Sequence, residues 1–234
     1  MLNSRSAPPV CLVIRWPQGV LPSSGPAALL RRLVEARLPA TWAVESAEHA
    51  KLLAAAGGSL SETALLLSQQ EASTAVDAIA DGLHRFGVAG YEVTTLCADA
   101  ELPRGQVERQ LAQFGVRAIV SPSASGAAAR PLPFGLWQVA PQATLPARRR
   151  WFRRSGGVPQ GFFSGAAGPA VAAIDLGAIG SPDSRGWREL EQAIVEATAA
   201  NDLGTVRAVT IADLTAELTR QTGAKPQRSI LRAA

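Results

Sequence analysis

Short apolar, β-branched runs recur along this 234-residue chain with amphipathic stretches between them, and that alternation constrains the fold more than any single motif. Val10 to Ile14 reads as a buried strand closed by the turn signal Pro17-Gln18-Gly19. Pro26 to Arg37 reads as a helix, because Leu29, Leu30, Leu33 and Val34 share one face while Arg31, Arg32 and Glu35 lie elsewhere. Pro39 stops that helix, Ala40 to Val44 is the next strand, and a helix over Ala47 to Ala56 stops at Gly57-Gly58. The pattern then gives strands over 63–67, 91–96, 116–120, 136–139, 171–174 and 206–209. It gives helices over 71–86, 104–114, 187–199 and 211–220. Buried strands alternating with helices imply a mostly parallel sheet. A barrel and a doubly wound sheet both satisfy this. No Gly-x-Gly-x-x-Gly follows the first strand and no P-loop lysine occurs, which removes the main support for a nucleotide-binding sheet. The expected fold class is therefore α/β, a distorted (β/α)7-type barrel of mostly parallel strands with outer helices.

Composition sets the remaining bounds. Hydrophobic residues make up 47% and charged residues 18%, a globular and not a disordered balance. The longest apolar runs, such as Ala64 to Leu67, are far short of the ~20 residues of a membrane span. The run Val10 to Ile14 is too short for the core of a signal peptide. No membrane partner is expected, and the cytoplasm is the expected location. Cys11 and Cys97 both lie in strand-like runs and read as buried free thiols of a reducing compartment. The expected organisation is a flexible start over 1–9, one domain over 10–221, and a flexible tail over 222–234. Ser121 to Pro133, rich in Ser, Ala, Gly and Pro, reads as a loop.

Three phrases carry a resemblance. Pro39-Ala40-Thr41-Trp42-Ala43-Val44 follows the first predicted helix, Pro133 to Val139 forms a strand phrase, and Gly204 to Leu214 a closing strand and helix start. In arrangement and in these phrases the chain resembles the polysaccharide deacetylase superfamily, the NodB-homology carbohydrate esterases, over roughly residues 9 to 218. The resemblance implies a divalent metal held by one aspartate and two histidines, with a second aspartate as base. Such a metal polarises the acetyl carbonyl and activates water.

This sequence departs from that pattern three times. The family's paired aspartates align with Arg15 and Trp16, and neither side chain can ligate a metal or act as a base near neutral pH. The His-x-x-x-His segment should fall near Thr63 to Gln70, where there is no histidine. The late histidine should fall near Asp175-Leu176 and is also missing. His49 and His84, the only histidines, sit in predicted helices beside Glu48, Lys51, Asp81 and Arg85 and read as solvated helix faces. No metal ligand set and no cofactor is expected. A Gly-x-Ser-x-Gly elbow is absent, so a serine hydrolase has little support.

In a barrel the site lies at the C-terminal ends of the strands. There Arg15, Trp16, Glu45, Ser68 and Asp175 would line the cleft. Trp16 could stack on a sugar ring and Arg15 could meet a carboxylate or phosphate, or both could fill a vacated metal pocket. A divergent hydrolase would need ligands from residues such as Asp175, Glu45 or Glu62. Separately, Arg148, Arg149, Arg150, Arg153 and Arg154 surround Trp151 and Phe152, a combination able to pair with phosphates and stack on bases, or to form a solvated face. The formal charge of +4 rests almost wholly on arginine and by itself argues only weakly for nucleic acid. The expected reading is a catalytically degenerate deacetylase-like domain that binds a glycan or acts as a partner in polysaccharide metabolism. Weak binding of nucleic acid or another polyanion stands beside it.

Overall fold

The computed structural model describes residues 7–17, 19, 24–55, 60–67, 75–99, 102, 105–122, 127–146, 149–150, 153–154, 161–166, 168–179 and 184–223. Ser68, Arg148 and Trp151, and the ends 1–6 and 224–234, lie outside the described residues. The elements run β1 (Pro9–Trp16), α1 (Ser24–Glu35), β2 (Ala40–Val44), α2 (Ala47–Ala55), β3 (Ser61–Leu67) and α3 (Ala75–Val88). They continue with β4 (Thr95–Ala98), α4 (Gln106–Gln113), β5 (Ala118–Val120), β6 (Ala129–Pro131), β7 (Trp137–Val139) and β8 (Ala143–Leu145). The last are β9 (Arg149–Arg150), β10 (Arg153–Arg154), β11 (Ala170–Asp175), α5 (Leu176–Ile179), α6 (Arg185–Asp202), β12 (Arg207–Ala208) and α7 (Ile211–Thr222).

The main sheet has the order β6-β7-β5-β4-β3-β2-β1-β11-β8, with β12 added beside the start of β1. Every described pairing in it is parallel except β6 with β7. No ladder among the described residues joins β8 to β6 or β7, so the sheet curls into a distorted barrel that hydrogen bonds do not close. β1 lies inside the sheet, with β11 along one edge and, along the other, β12 beside Pro9-Val10 and β2 beside Val13 to Trp16.

Alternation along the strands sorts side chains into two layers. Val10, Leu12, Ile14 and Trp16 of β1, with Trp42, Val44, Leu65 and Leu67, pack outward against the helices in the larger apolar core. Cys11 and Val13, with Ala43, Ala64, Leu66, Cys97 and Val120, form a smaller inner core. The inner residues are mostly small, which lets the sheet curl without overpacking its interior. Ile211 and Leu214 of α7 join that inner cluster and close the barrel at the N-terminal ends of the strands.

α7 is pinned there by polar contacts. Thr210 caps it, its hydroxyl accepting from the Asp213 N–H at 3.1 Å, and Gly223 ends it in the left-handed region at φ 62°. The Trp137 indole N–H donates to the Thr219 hydroxyl at 2.9 Å, tying the far end of the helix to β7.

Two sequence expectations change. The segment 121–133, expected to be loop, contains β6, which pairs antiparallel with β7 through Arg130 opposite Gln138. Ala129-Arg130-Pro131 carries no strand signal, and proline is tolerated because an edge strand needs only one ladder. The strand expected over 91–96 begins only at Thr95, where β3 and β5 supply partners.

Candidate functional site

The parallel strands place their C-terminal ends at one mouth, opposite α7. Arg15 is the penultimate residue of β1 and continues the inward alternation of Cys11 and Val13. Its guanidinium forms an ion pair with Asp99, the residue after β4. β2 and β3 stand between those strands, and in a flat sheet three strand spacings amount to about 14 Å. Contact between the two tips therefore requires the curl, and the pair bridges the mouth as a chord. The side chains are 21% and 34% exposed, so the pair faces solvent.

Asp175 ends β11 directly opposite Arg15 in the ladder, which adds a second carboxylate at the same rim. One of its oxygens accepts the Gly177 N–H at 3.0 Å, fixing the turn into α5. Glu45 follows β2 and is half-buried, with its charge felt by His49 on α2. The structure thus brings Arg15 and Asp175 together and adds Asp99, a residue that sequence reasoning passed over.

Trp16 is placed elsewhere. Successive strand residues point to opposite faces, so the indole next to Arg15 turns outward, away from the mouth. It is 3% exposed and stacks on the His49 imidazole, with ring centroids 4.3 Å apart and planes 10° apart. Trp42, also buried, meets it edge-on at 6.2 Å. His49 was expected on a solvated face. It is instead buried with Ala50 and Leu53 on the inward side of α2, and burial lowers its pKa against the opposing pull of Glu45 and Glu48. His84, by contrast, is exposed on α3, as expected. The Trp42 Nε1 and His49 Nδ1 atoms find no hydrogen-bond partner among the described residues.

Glu62, a candidate ligand for a divergent hydrolase, lies near the start of β3, at the opposite end of the barrel from the mouth. Its carboxylate accepts the Thr41 hydroxyl at 2.8 Å, the Ala212 N–H of α7 at 3.0 Å, and the Thr95 hydroxyl. Thr41 in turn accepts the Ile211 N–H at 2.9 Å. Burial raises the pKa of Glu62 although these donors oppose the shift. The residue fastens three strands to the first turn of α7, which is a structural task. Cys11 and Cys97 are both buried free thiols of the inner core, and burial pushes both thiol pKa values up, which suits inert packing groups.

The described residues at the mouth do not fit a divalent cation. At the mouth a permanently charged guanidinium occupies one oxygen donor, Asp99, and would repel a cation held by Asp175. Among the described residues no three His, Cys, Asp or Glu side chains are arranged to hold a metal. No helix among them is long and apolar enough to cross a membrane.

The arginine-rich segment forms a short antiparallel ladder, with Arg150 opposite Arg153 and Arg149 opposite Arg154. It follows β8 in the chain, with Arg149 four residues past Leu145.

No family model matches the chain, and no curated protein matches it. Solved structures do match. A structure assigned to the polysaccharide deacetylases from Mycobacterium smegmatis superposes with a TM-score of 0.62 at 16% identity, covering 95% of this chain and 94% of its own. A CE4 family pseudoenzyme from Bacillus anthracis gives 0.54 at 13% identity, over 89% of this chain and 66% of its own. A family 4 acetyl xylan esterase from Clostridium thermocellum, solved with cobalt, gives 0.50 at 14% identity, over 93% of each chain.

Proposed function

We propose that this chain, which carries the polysaccharide deacetylase fold, is a glycan-binding member of that fold without its metal-dependent chemistry. One observation carries the reading: the position that the resemblance gives to the paired acids holds Arg15, whose guanidinium spans the mouth to Asp99. A fold can keep its cleft after losing its catalytic set. What remains at this mouth is a donor-rich guanidinium between carboxylates, and sugar hydroxyls can donate to the carboxylates and accept from the guanidinium. A protein relative in which the cleft recruits a glycan without cutting it would act as a carrier or regulator in polysaccharide metabolism.

The test has two arms. Calorimetry with chito-oligosaccharides and xylo-oligosaccharides should show binding that an Arg15→Ala substitution weakens. Acetate release from the acetylated forms should stay at background with added zinc or cobalt. Metal-dependent acetate release abolished by a chelator would overturn the reading.

A further inference from the structure

We infer that Asp99 sets the specificity of this mouth: by holding the Arg15 guanidinium it leaves the mouth open to neutral sugar chains and closes it to acidic ones. The inference rests on the glycan reading of the mouth and names the residue that chooses among glycans.

The first observation is placement. Cys11 and Val13 face the inner core, and Arg15 continues their side of β1. Thr95 reaches inward to Glu62, Cys97 lies in the inner core, and Asp99 continues that side just past β4. The Arg15 charge is felt by the buried Cys97 thiol, two residues before Asp99. Guanidinium and carboxylate are thus aimed into one opening from strands that β2 and β3 keep apart. With side chains 21% and 34% exposed, both can be reached by a ligand entering from solvent.

The second observation is the state of charge. A lone guanidinium is a planar fork that takes a carboxylate or phosphate. Here the guanidinium already faces the Asp99 carboxylate. An acid group approaching Arg15 would have to displace that carboxylate or lie beside it, well inside the screening length of about 8 Å at physiological salt. Asp175, opposite Arg15 in the ladder of the neighbouring strand, sets a further carboxylate at the rim. Sugar hydroxyls meet no such opposition, because a hydroxyl can donate to a carboxylate oxygen and accept from a guanidinium N–H.

The third observation is the contrast with the whole chain, whose formal charge is +4. At long range that charge draws acidic polysaccharides toward the protein. Their exclusion therefore has to be local, and a like charge set against the wrong ligand is how a site refuses it. Asp99 is the described residue placed to do so, since without it the Arg15 guanidinium would itself be a receptor for anions.

The full chain would be titrated by calorimetry with N-acetylated chitotetraose, xylotetraose and tetragalacturonate. The native protein would be compared with Asp99→Asn, Asp99→Glu and a double Asp99→Asn, Arg15→Ala variant. The native chain should bind a neutral tetrasaccharide about tenfold or more tightly than tetragalacturonate. Asp99→Asn should tighten tetragalacturonate by about tenfold, and change the neutral sugars by less than about fivefold because the amide oxygen still accepts a hydroxyl. Adding Arg15→Ala should remove the gain, and Asp99→Glu, which restores the charge, should keep the native preference. A merely structural role for Asp99 would move all three affinities together. Thermal melting checks the fold of each variant, with Asp99→Ala taking the place of an asparagine variant that does not fold. Tetragalacturonate affinity left unchanged by Asp99→Asn, or a native chain that prefers tetragalacturonate, would overturn this inference and leave the glycan reading standing. A native chain that binds none of the three sugars would overturn the glycan reading and the inference with it.

Discussion

Arg15 and Asp99 meet across the barrel mouth although two strands, β2 and β3, separate the strands that carry them. The contact reports the curvature of the sheet at its open end, since upright side chains on a flat sheet would not touch. It also fixes the direction of the one guanidinium that the resemblance sets in place of an acid.

The ion pair should be weak in energy. Both partners face solvent, and exposed pairs contribute about 0.2–1 kcal/mol. A double-mutant cycle with Arg15→Ala and Asp99→Ala should return a coupling in that range by chemical denaturation, shrinking in 1 M salt. A coupling of several kcal/mol would show a pair far more buried than this one.

Trp16 should matter to the core and not to the mouth. Its indole is buried against His49 and Trp42, so Trp16→Ala should cost about 3–5 kcal/mol of stability. Trp16→Phe, which keeps a ring on the imidazole, should cost less and leave glycan affinity unchanged. Lost affinity in a stable Trp16→Phe protein would put the indole in the site.

Glu62 should make stability fall as pH rises. Its folded pKa lies above the ordinary value of 4.5, so the folded chain binds that proton more tightly than the unfolded one. The contribution is fully present below 4.5 and is lost as pH climbs through the raised value. Melting curves of native and Glu62→Gln protein from pH 4 upward should diverge in favour of the glutamine at higher pH. Glu62→Ala strands the partners on Thr41, Thr95 and Ala212 and should cost about 3 kcal/mol at pH 4, and less as pH rises.

His49 should act in the opposite sense. Its folded pKa is lowered by burial, so its contribution is fully present above the ordinary 6.5 and is lost as pH falls through the depressed value. His49→Phe, which keeps the stack on Trp16 and cannot titrate, should flatten the melting temperature between pH 7 and pH 5. An unchanged slope would mean that the imidazole stays solvated when protonated.

The sequence was most legible where one residue's chemistry decides an outcome. β2 has the expected bounds because Pro39 forbids an earlier helix and Thr41, Trp42 and Val44 favour a strand. β6 was illegible because Ala129-Arg130-Pro131 becomes a strand only by meeting β7. At the site, Arg15 and Trp16 were read as a pair, although strand alternation sends them to opposite layers. Burial of His49 was hidden by charged neighbours, yet 49, 50 and 53 are the spacing of one helix face. Asp99 could not be found from its neighbours, since only the curl brings it to Arg15.

The place of β1 between strands made early and late has a consequence for the nascent chain. β2 covers Val13 to Trp16 early, but Pro9-Val10 on that edge wait for Arg207-Ala208, and the whole opposite edge, Val10 to Arg15, waits for Ala170 to Asp175. A ribosome adding 5–20 residues per second needs roughly 10–30 s to cover that separation. Through that interval the edge Val10-Cys11-Leu12-Val13-Ile14 stays open, apolar and free of charge, which is the kind of edge that templates pairing between chains. Crowded translation, more than heat acting on the finished barrel, is where this protein is most exposed to aggregation.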